Sequence, residues 1–584
     1  MNLRRSIPFL CLFAFGLTGC PDNPTTTAPT RAFVSLTEPA ADEELEPLES
    51  GEVIETELES REAILAVFKG IPSPPTNQPL EFEFVRSIDR PVFLDRDGVD
   101  GPRQWITVAE LQDGDGNVLW FDRVNSIFQL LEFLQLVLAQ QSSLSIQISQ
   151  VLNFVSTQYP QLLEFAVRIP VGIEGATDYV LKVPGVDGEL YEAVRIDVSG
   201  IVDAAAEPQI DGETSTIVES GSPEDSLDIV ILGDGYTAEQ REKFDLDAKA
   251  IAERLLKAEP FATHAQSINV HTVWTPSVEQ GAGYDCTGIL TLDAGCKDGL
   301  RDTPFETAFV ISALADRLNL DLQDTSDRVA MPLQVARLYD AASHAPFDEI
   351  IMISNTRRTS GFAGLYVSIL TAYDPRLSFP DTAVHEFGHS FGVLGDEYNQ
   401  EGDPCLFNEP RIPLPQNISA TADPDEIKWS AWIEDGTPLP TPGSERDDYP
   451  VGAYQGAYNC DELHRPSYRC KMKNSDDEFC PVCAEQLVQR IHTVVDPAAQ
   501  APFTAEGLGE GALSFSAPMR QDAPYTAQWT LGDTVVGEGA TLELTADALP
   551  DEWTELRVEV RESSAFTRAD SPRLVSTQRW WVKK

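Results

Sequence analysis

Chemistry concentrates in this chain at Asp381–Gly392, where His385 and His389 stand four residues apart with Glu386 beside the first. On a helix, positions i and i+4 share one face, so both imidazoles can hold a single ion. Zinc takes such nitrogen ligands in tetrahedral sites. Glu386 is turned toward the same site and suits a general base acting on a water whose pKa the metal has lowered. The chain has only 7 His in 584 residues, which weighs against a chance pairing on a surface helix. A catalytic zinc needs a third protein ligand and an open position. Asp396 is the first choice for that ligand and Glu397 the second, against the plain alternative that both acids cap the helix end.

The elements that must position these residues follow from periodicity. Pro380 and Asp381 open the motif helix, with Asp381 as N-cap, and Gly392 is a natural place for it to turn. Upstream, Leu227–Leu232 reads as a buried strand and Gly233–Gly235 as a turn. Thr237 to Gln240 is a capping box opening a helix to about Glu259. Ile268–Thr275, Glu349–Ser354 and Gly364–Thr371 are further strands, Thr303–Leu318 a helix, and Arg328–Arg337 ambiguous. This alternation predicts a central α/β (α+β) domain over 225–495. Asp234 and Tyr236 read as turn residues, and Gly361–Gly364 as an edge suited to binding a substrate backbone. Residues 400–456 form a long irregular insert.

The flanks read as β structure. Over 63–215, short alternating runs at Leu80–Val85, Trp105–Leu111, Val118–Asp122 and Tyr179–Val183 suggest an N-terminal β-sandwich, with helices inserted at Ile127–Tyr159. Thr526–Leu531, Ala540–Leu544, Glu552–Glu562 and Leu574–Val582 suggest a small immunoglobulin-like β-sandwich over 500–584. Asp95–Gly98 and Asp113–Asn117 could hold Ca2+, but neither has a closing Glu, and Asp-Gly is ordinary turn chemistry.

Arg4 and Arg5, the apolar run Ile7–Gly16 and Leu17-Thr18-Gly19-Cys20 have the form of a signal peptide over 1–19 ending at a lipobox. The expectation is lipidation of Cys20, a Thr/Pro-rich and acidic linker over 20–62, and a lipoprotein of the bacterial cell envelope, at the outer membrane or cell surface. No other stretch is apolar enough to span a bilayer, so membrane attachment is expected only through that anchor. With 94 acidic against 42 basic residues, the net charge of −52 excludes a nucleic-acid partner. Cys286 and Cys296 are spaced for a local disulfide. Cys480-Pro-Val-Cys483 is a redox pair or half a zinc site, with no second pair of matching spacing after it.

Three blocks together resemble the bacterial IgA-peptidase family of zinc metallopeptidases: Asp228–Phe244, His385–Tyr398, and Arg465-Pro466-Ser467 through Cys470-Lys471-Met472 to Cys483. The resemblance implies a metzincin-like fold, an N-terminal β-domain, and Met472 in a turn beneath one catalytic zinc. Metzincins carry a third His where this chain has Gly395, which leaves the oxygen ligand to Asp396 or Glu397. No Tyr closely follows Met472, so Tyr458, His464 and Tyr468 are the candidates for a transition-state hydrogen-bond donor. The expected function is a monomeric, lipid-anchored zinc endopeptidase acting on a protein or peptide substrate. The competing readings are another zinc amide hydrolase, such as a cell-wall peptide amidase, and a non-catalytic surface binding protein.

Overall fold

The computed structural model describes residues 31–40, 45–56, 63–69, 81–88, 108–123, 164–170, 173–184, 190–199, 210–285, 299–309, 330–364, 367–373, 378–399, 414–443, 450–498, 501–520, 522–568 and 571–584. Cys20, Cys286, Cys296, Asp95–Gly98 and Ile127–Tyr159 lie outside them. The fold is mixed α/β and mostly sheet. Among the described residues no helix is long and apolar enough to cross a membrane.

The central sheet has six strands: β1 (Glu213–Val218), β2 (Leu227–Asp234), β3 (Ile268–Trp274), β4 (Glu349–Ser354), β5 (Gly361–Gly364) and β6 (Val367–Thr371). Their order is β1-β3-β2-β4-β6-β5. The four inner strands run parallel, and β1 and β5 close the two edges antiparallel. Strand β2 is buried along its whole length, as expected of a parallel strand covered on both faces. Its alternate residues separate two cores, since neighbouring side chains point to opposite faces. Leu227, Ile229 and Ile231 pack with Phe244, Ile251 and Leu255 of α1 (Arg241–Leu255) and with Phe387 of α3 (Phe379–Ser390). Val230 and Leu232 pack with Leu338 and Ala342 of α2 (Val335–Ala342) on the other face. Helix α4 (Pro481–Ile491) joins the first core through Leu487 and Ile491.

The structure corrects several expectations within this sheet. The helix expected over Thr303–Leu318 is not formed where it is described: residues 303–307 are irregular and Ala308–Phe309 is a short strand. The cause is Asp234, whose buried carboxylate accepts from the Thr303 hydroxyl at 2.9 Å and the Phe305 and Thr307 amides at 3.2 and 2.9 Å. Asp381 is not an N-cap. The helix starts earlier, after Ser378, and Asp381 in its first turn accepts from Arg254 Nε at 2.6 Å. The Gly364–Thr371 strand is two strands, β5 and β6, paired antiparallel.

The N-terminal strands form two antiparallel sheets, of three and four strands, between Ala63 and Asp197. At Asp113–Asn117 the Asp113 carboxylate is taken up by the turn itself, accepting from the Asp115 and Asn117 amides and the Asn117 side chain at 2.8–2.9 Å. This is turn chemistry rather than a calcium loop. The C-terminal strands form sheets of five and four strands around one core, in which Trp529 and Trp580 stack at 5.9 Å. Here the linker expectation for 20–62 also changes. Phe33–Ser35 pairs with Trp581–Lys583, and Val53–Glu55 pairs with Thr504–Glu506, so both segments complete the C-terminal sheets. These sheets meet the central one at Glu562, whose carboxylate accepts from His264 at 3.0 Å and His492 at 3.2 Å, all three buried.

Candidate metal centre

Helix α3 turns one face inward, with Ala383, Val384, Phe387 and Phe391 in the core, and leaves His385 and His389 half-buried on the other. Phe387 and Phe391 stack at 5.2 Å, and Phe261 meets Phe387 edge-on at 5.5 Å. At its start, Arg254 ties Asp381 to Glu478, which joins α1, α3 and the segment around Met472. Burial alone would raise the Asp381 pKa, but Arg254, Ser378 and Lys471 together outweigh it and hold the carboxyl below its ordinary value.

The chain leaves α3 through a sharp turn. Val393 takes a left-handed φ of 52°, unusual for a β-branched residue. The turn brings the Leu394 carbonyl to His389 Nδ1 at 2.7 Å and swings Asp396 back over the histidines. His385 Nδ1 meets the Lys471 carbonyl at 2.8 Å. A carbonyl only accepts, so each Nδ1 carries a proton and donates it, which leaves each Nε2 as the atom that faces the cluster. Those two Nε2 atoms lie 3.2 Å apart, and Asp396 Oδ1 lies 3.1 Å from His389 Nε2 and 3.4 Å from His385 Nε2. Three ligand-type atoms converge on one point. The edge of a tetrahedron with zinc–ligand bonds of about 2.05 Å is roughly 3.3 Å, which matches these separations. The donor set therefore fits zinc.

The electrostatics agree. Burial disfavours a charged His389, but Asp396 beside it outweighs burial and pushes its pKa up to about 9. Burial likewise opposes an ionised Asp396, yet the two histidines hold its carboxyl well below the ordinary range. A pocket that binds a proton so firmly also attracts a cation. Glu386 is buried against β5, and burial raises its carboxyl pKa. A Cβ on Gly361 would stand 2.2 Å from Glu386 Oε1, so the glycine makes the carboxylate's room.

The remaining predicted residues divide. Met472 is buried beneath α3, its Sδ at 2.6 Å from where a Gly388 Cβ would be. Glu397 points away from the histidines; its side chain meets Asn417 Nδ2 at 2.9 Å and Cys483 Sγ at 3.2 Å. Tyr458 lies by the metal cluster: its amide donates to the Asp396 carbonyl at 3.2 Å, and its hydroxyl lies 2.5 Å from where a Gly395 Cβ would be. His464 is held on a strand paired with Ser419, and Tyr468 packs against Tyr454 and under Lys473. Two contributors went unassigned in the sequence. Tyr398 hydrogen-bonds the Asp396 side chain, and burial together with that carboxylate pushes its hydroxyl pKa well up. Asn417 bridges Gly395 through both backbone groups at 2.8 Å. Tyr398 stood two residues from Asp396 and was available to reasoning; Asn417 carried no local signal.

Residues 216–450 match the sequence model of the family described as IgA Peptidase M64. Over that segment the chain is similar to this family. No curated protein matches the chain. The match covers the central sheet from within β1 onward, α3 and all three converging ligands, and it supports a peptidase. It stops before Met472 and α4, whose place beneath the site rests on the structure.

Proposed function

We propose that this protein is a zinc endopeptidase, with His385, His389 and Asp396 as the metal ligands. The observation that carries this is the convergence of two Nε2 atoms and one carboxylate oxygen at 3.1–3.4 Å. Bound there, zinc supplies Lewis acidity and lowers the pKa of the attacking water. Glu386 takes a proton from that water on its carboxylate and passes it to the leaving amine nitrogen. Its buried setting suits the first step, because a raised pKa makes the carboxylate a stronger base toward that water. On this reading Tyr398, which bonds the Asp396 side chain, and Tyr458 beside it are the donors to charge developing on the substrate oxygen. Among the described residues strand β5 is the antiparallel edge strand beside α3, and on this reading an extended peptide lies along it. The central domain is on this reading metzincin-like, with Met472 as the apolar support under the ligand helix. The C-terminal sheets then read as an immunoglobulin-like sandwich. The lipid anchor at Cys20 and an envelope location belong to the same proposal and rest on the sequence.

The test is cleavage of an unfolded protein substrate by wild type and Glu386→Gln, with zinc measured in both. Retained zinc with cleavage lost supports the assignment. Undiminished cleavage by Glu386→Gln overturns it.

A further inference from the structure

A second cluster of ligand-type side chains lies behind the catalytic helix. Cys470, Cys480 and Cys483 are fully buried free thiols, and together with the Glu397 carboxylate their ligand atoms all fall within 4.8 Å of one another. Cys470 Sγ lies 3.6 Å from Cys483 Sγ, and Cys483 Sγ lies 3.2 Å from Glu397 Oε1. In a tetrahedral zinc site with Zn–S near 2.3 Å, the sulfur–sulfur edge is about 3.8 Å and the sulfur–oxygen edge about 3.5 Å. Cys480 and Cys483 carry the two-residue spacing of a zinc knuckle, and Cys480 is the N-cap of α4. The Cys480 amide points at Cys470 Sγ at 3.4 Å, and such N–H donors favour thiolate over thiol.

Glu397 is the independent observation. It is buried at 0 % exposure, and its Oε2 has no hydrogen-bond partner. A buried carboxylate oxygen left bare is costly unless something else satisfies it. Arg465 and Lys473 act on Glu397 electrostatically and would balance a cluster of negative ligands. We infer that Cys470, Cys480, Cys483 and Glu397 form a second, structural zinc site. This supplies the ligands that the lone Cys480-x-x-Cys483 pair lacks in the sequence.

The site has a consequence for the catalytic centre. The segment Cys470-Lys471-Met472 serves both. Cys470 belongs to the cluster, the Lys471 carbonyl orients His385, and the Met472 carbonyl accepts from the Glu397 amide at 2.8 Å. Glu397 adjoins Asp396. The second zinc therefore pins the backbone on which two of the three catalytic ligands depend. It closes with four protein ligands and takes no substrate.

The test uses the full chain with zinc as the probe. Wild type should hold about two zinc ions per chain, and a His385→Ala/His389→Ala variant about one, since only the catalytic site is emptied. Replacing that remaining ion by cobalt should give a thiolate-to-cobalt charge-transfer band, which Cys483→Ser in the same background abolishes. Wild-type protein supplies the same band should the variants fold poorly. A folded double-His variant with no metal, a cobalt spectrum without thiolate character, or a disulfide from Cys470 to Cys480 or Cys483 in wild type would each overturn the proposal. The catalytic reading survives any of these outcomes, because it is judged by Glu386→Gln.

Discussion

Gly361→Ala isolates the role of Glu386 from outside its own helix. Gly361 is not among the residues with a left-handed φ, so its backbone accepts alanine without penalty. The new methyl would stand 2.2 Å from Glu386 Oε1, 3.0 Å from its Cδ and 3.1 Å from Thr382 Cγ2. The carboxylate must retreat by about 1 Å to restore an ordinary contact. A displacement of that size at a reacting group costs about a hundredfold in rate. The overpacking itself costs about 1–3 kcal/mol of stability, and the metal ligands lie on other elements. The expected result is kcat/KM down about a hundredfold, with zinc content unchanged and Tm lowered modestly. In a Glu386→Gln background the same substitution should cost almost nothing further, because both act through one group. Wild-type kcat/KM for Gly361→Ala would refute the placement of Glu386. A full hundredfold loss persisting in the Glu386→Gln background would refute its role.

Three further expectations follow from other parts of the molecule. Asp396→Ala leaves two histidine ligands, so catalytic zinc should be lost from a chain that still melts cooperatively; stoichiometric retention at that site would show that Asp396 is no ligand. Glu562→Gln breaks the buried junction with His264 and His492 and should cost about 3 kcal/mol at neutral pH. Burial opposes ionisation of Glu562, but the two histidines outweigh it and hold its pKa below the ordinary value, so its contribution is present above about pH 4.3 and fades on acidification. The difference in Tm between wild type and this variant should therefore shrink below that pH, and a constant difference would refute the linkage. Removing residues 1–56 takes away two paired edge strands and the buried Ala32 and Val34, so the C-terminal sheets should melt earlier, read by the near-ultraviolet signal of Trp529 and Trp580.

The parts legible in the sequence were those in which local chemistry and periodicity agree. Leu227–Leu232 is continuously apolar because both of its faces are covered, and it stands at the centre of the sheet. Thr237 and Gln240 form their capping box, the Thr237 amide donating to Gln240 Oε1 at 3.0 Å. His385, His389 and Asp396 meet because a helical period and one sharp turn suffice to bring them together. Met472 could be located through its block, although 83 residues separate it from His389. By contrast, the Thr303 helix failed because a buried carboxylate, Asp234, drew nearby amides and hydroxyls to itself, and a distant acid leaves no mark on local propensity.

The acidic segment after residue 30 teaches the complementary point. Composition gave it the signature of a solvated spacer, yet only three residues in each of two places need to pair for it to complete two sheets. At Val34 one buried side chain does the packing while its neighbours stay partly exposed, so the alternation is too short to stand out from the surrounding carboxylates. At Val53–Glu55 the exposed Glu55 is then an asset, because an edge strand carrying an acid resists pairing with a second chain. The same limit applies to the cysteines. Cys480 and Cys483 are adjacent enough to be noticed, whereas Cys470 and Glu397 reach them only after α3, its turn and the Met472 segment have folded. A site assembled from three separate stretches becomes visible when the backbone that joins them does.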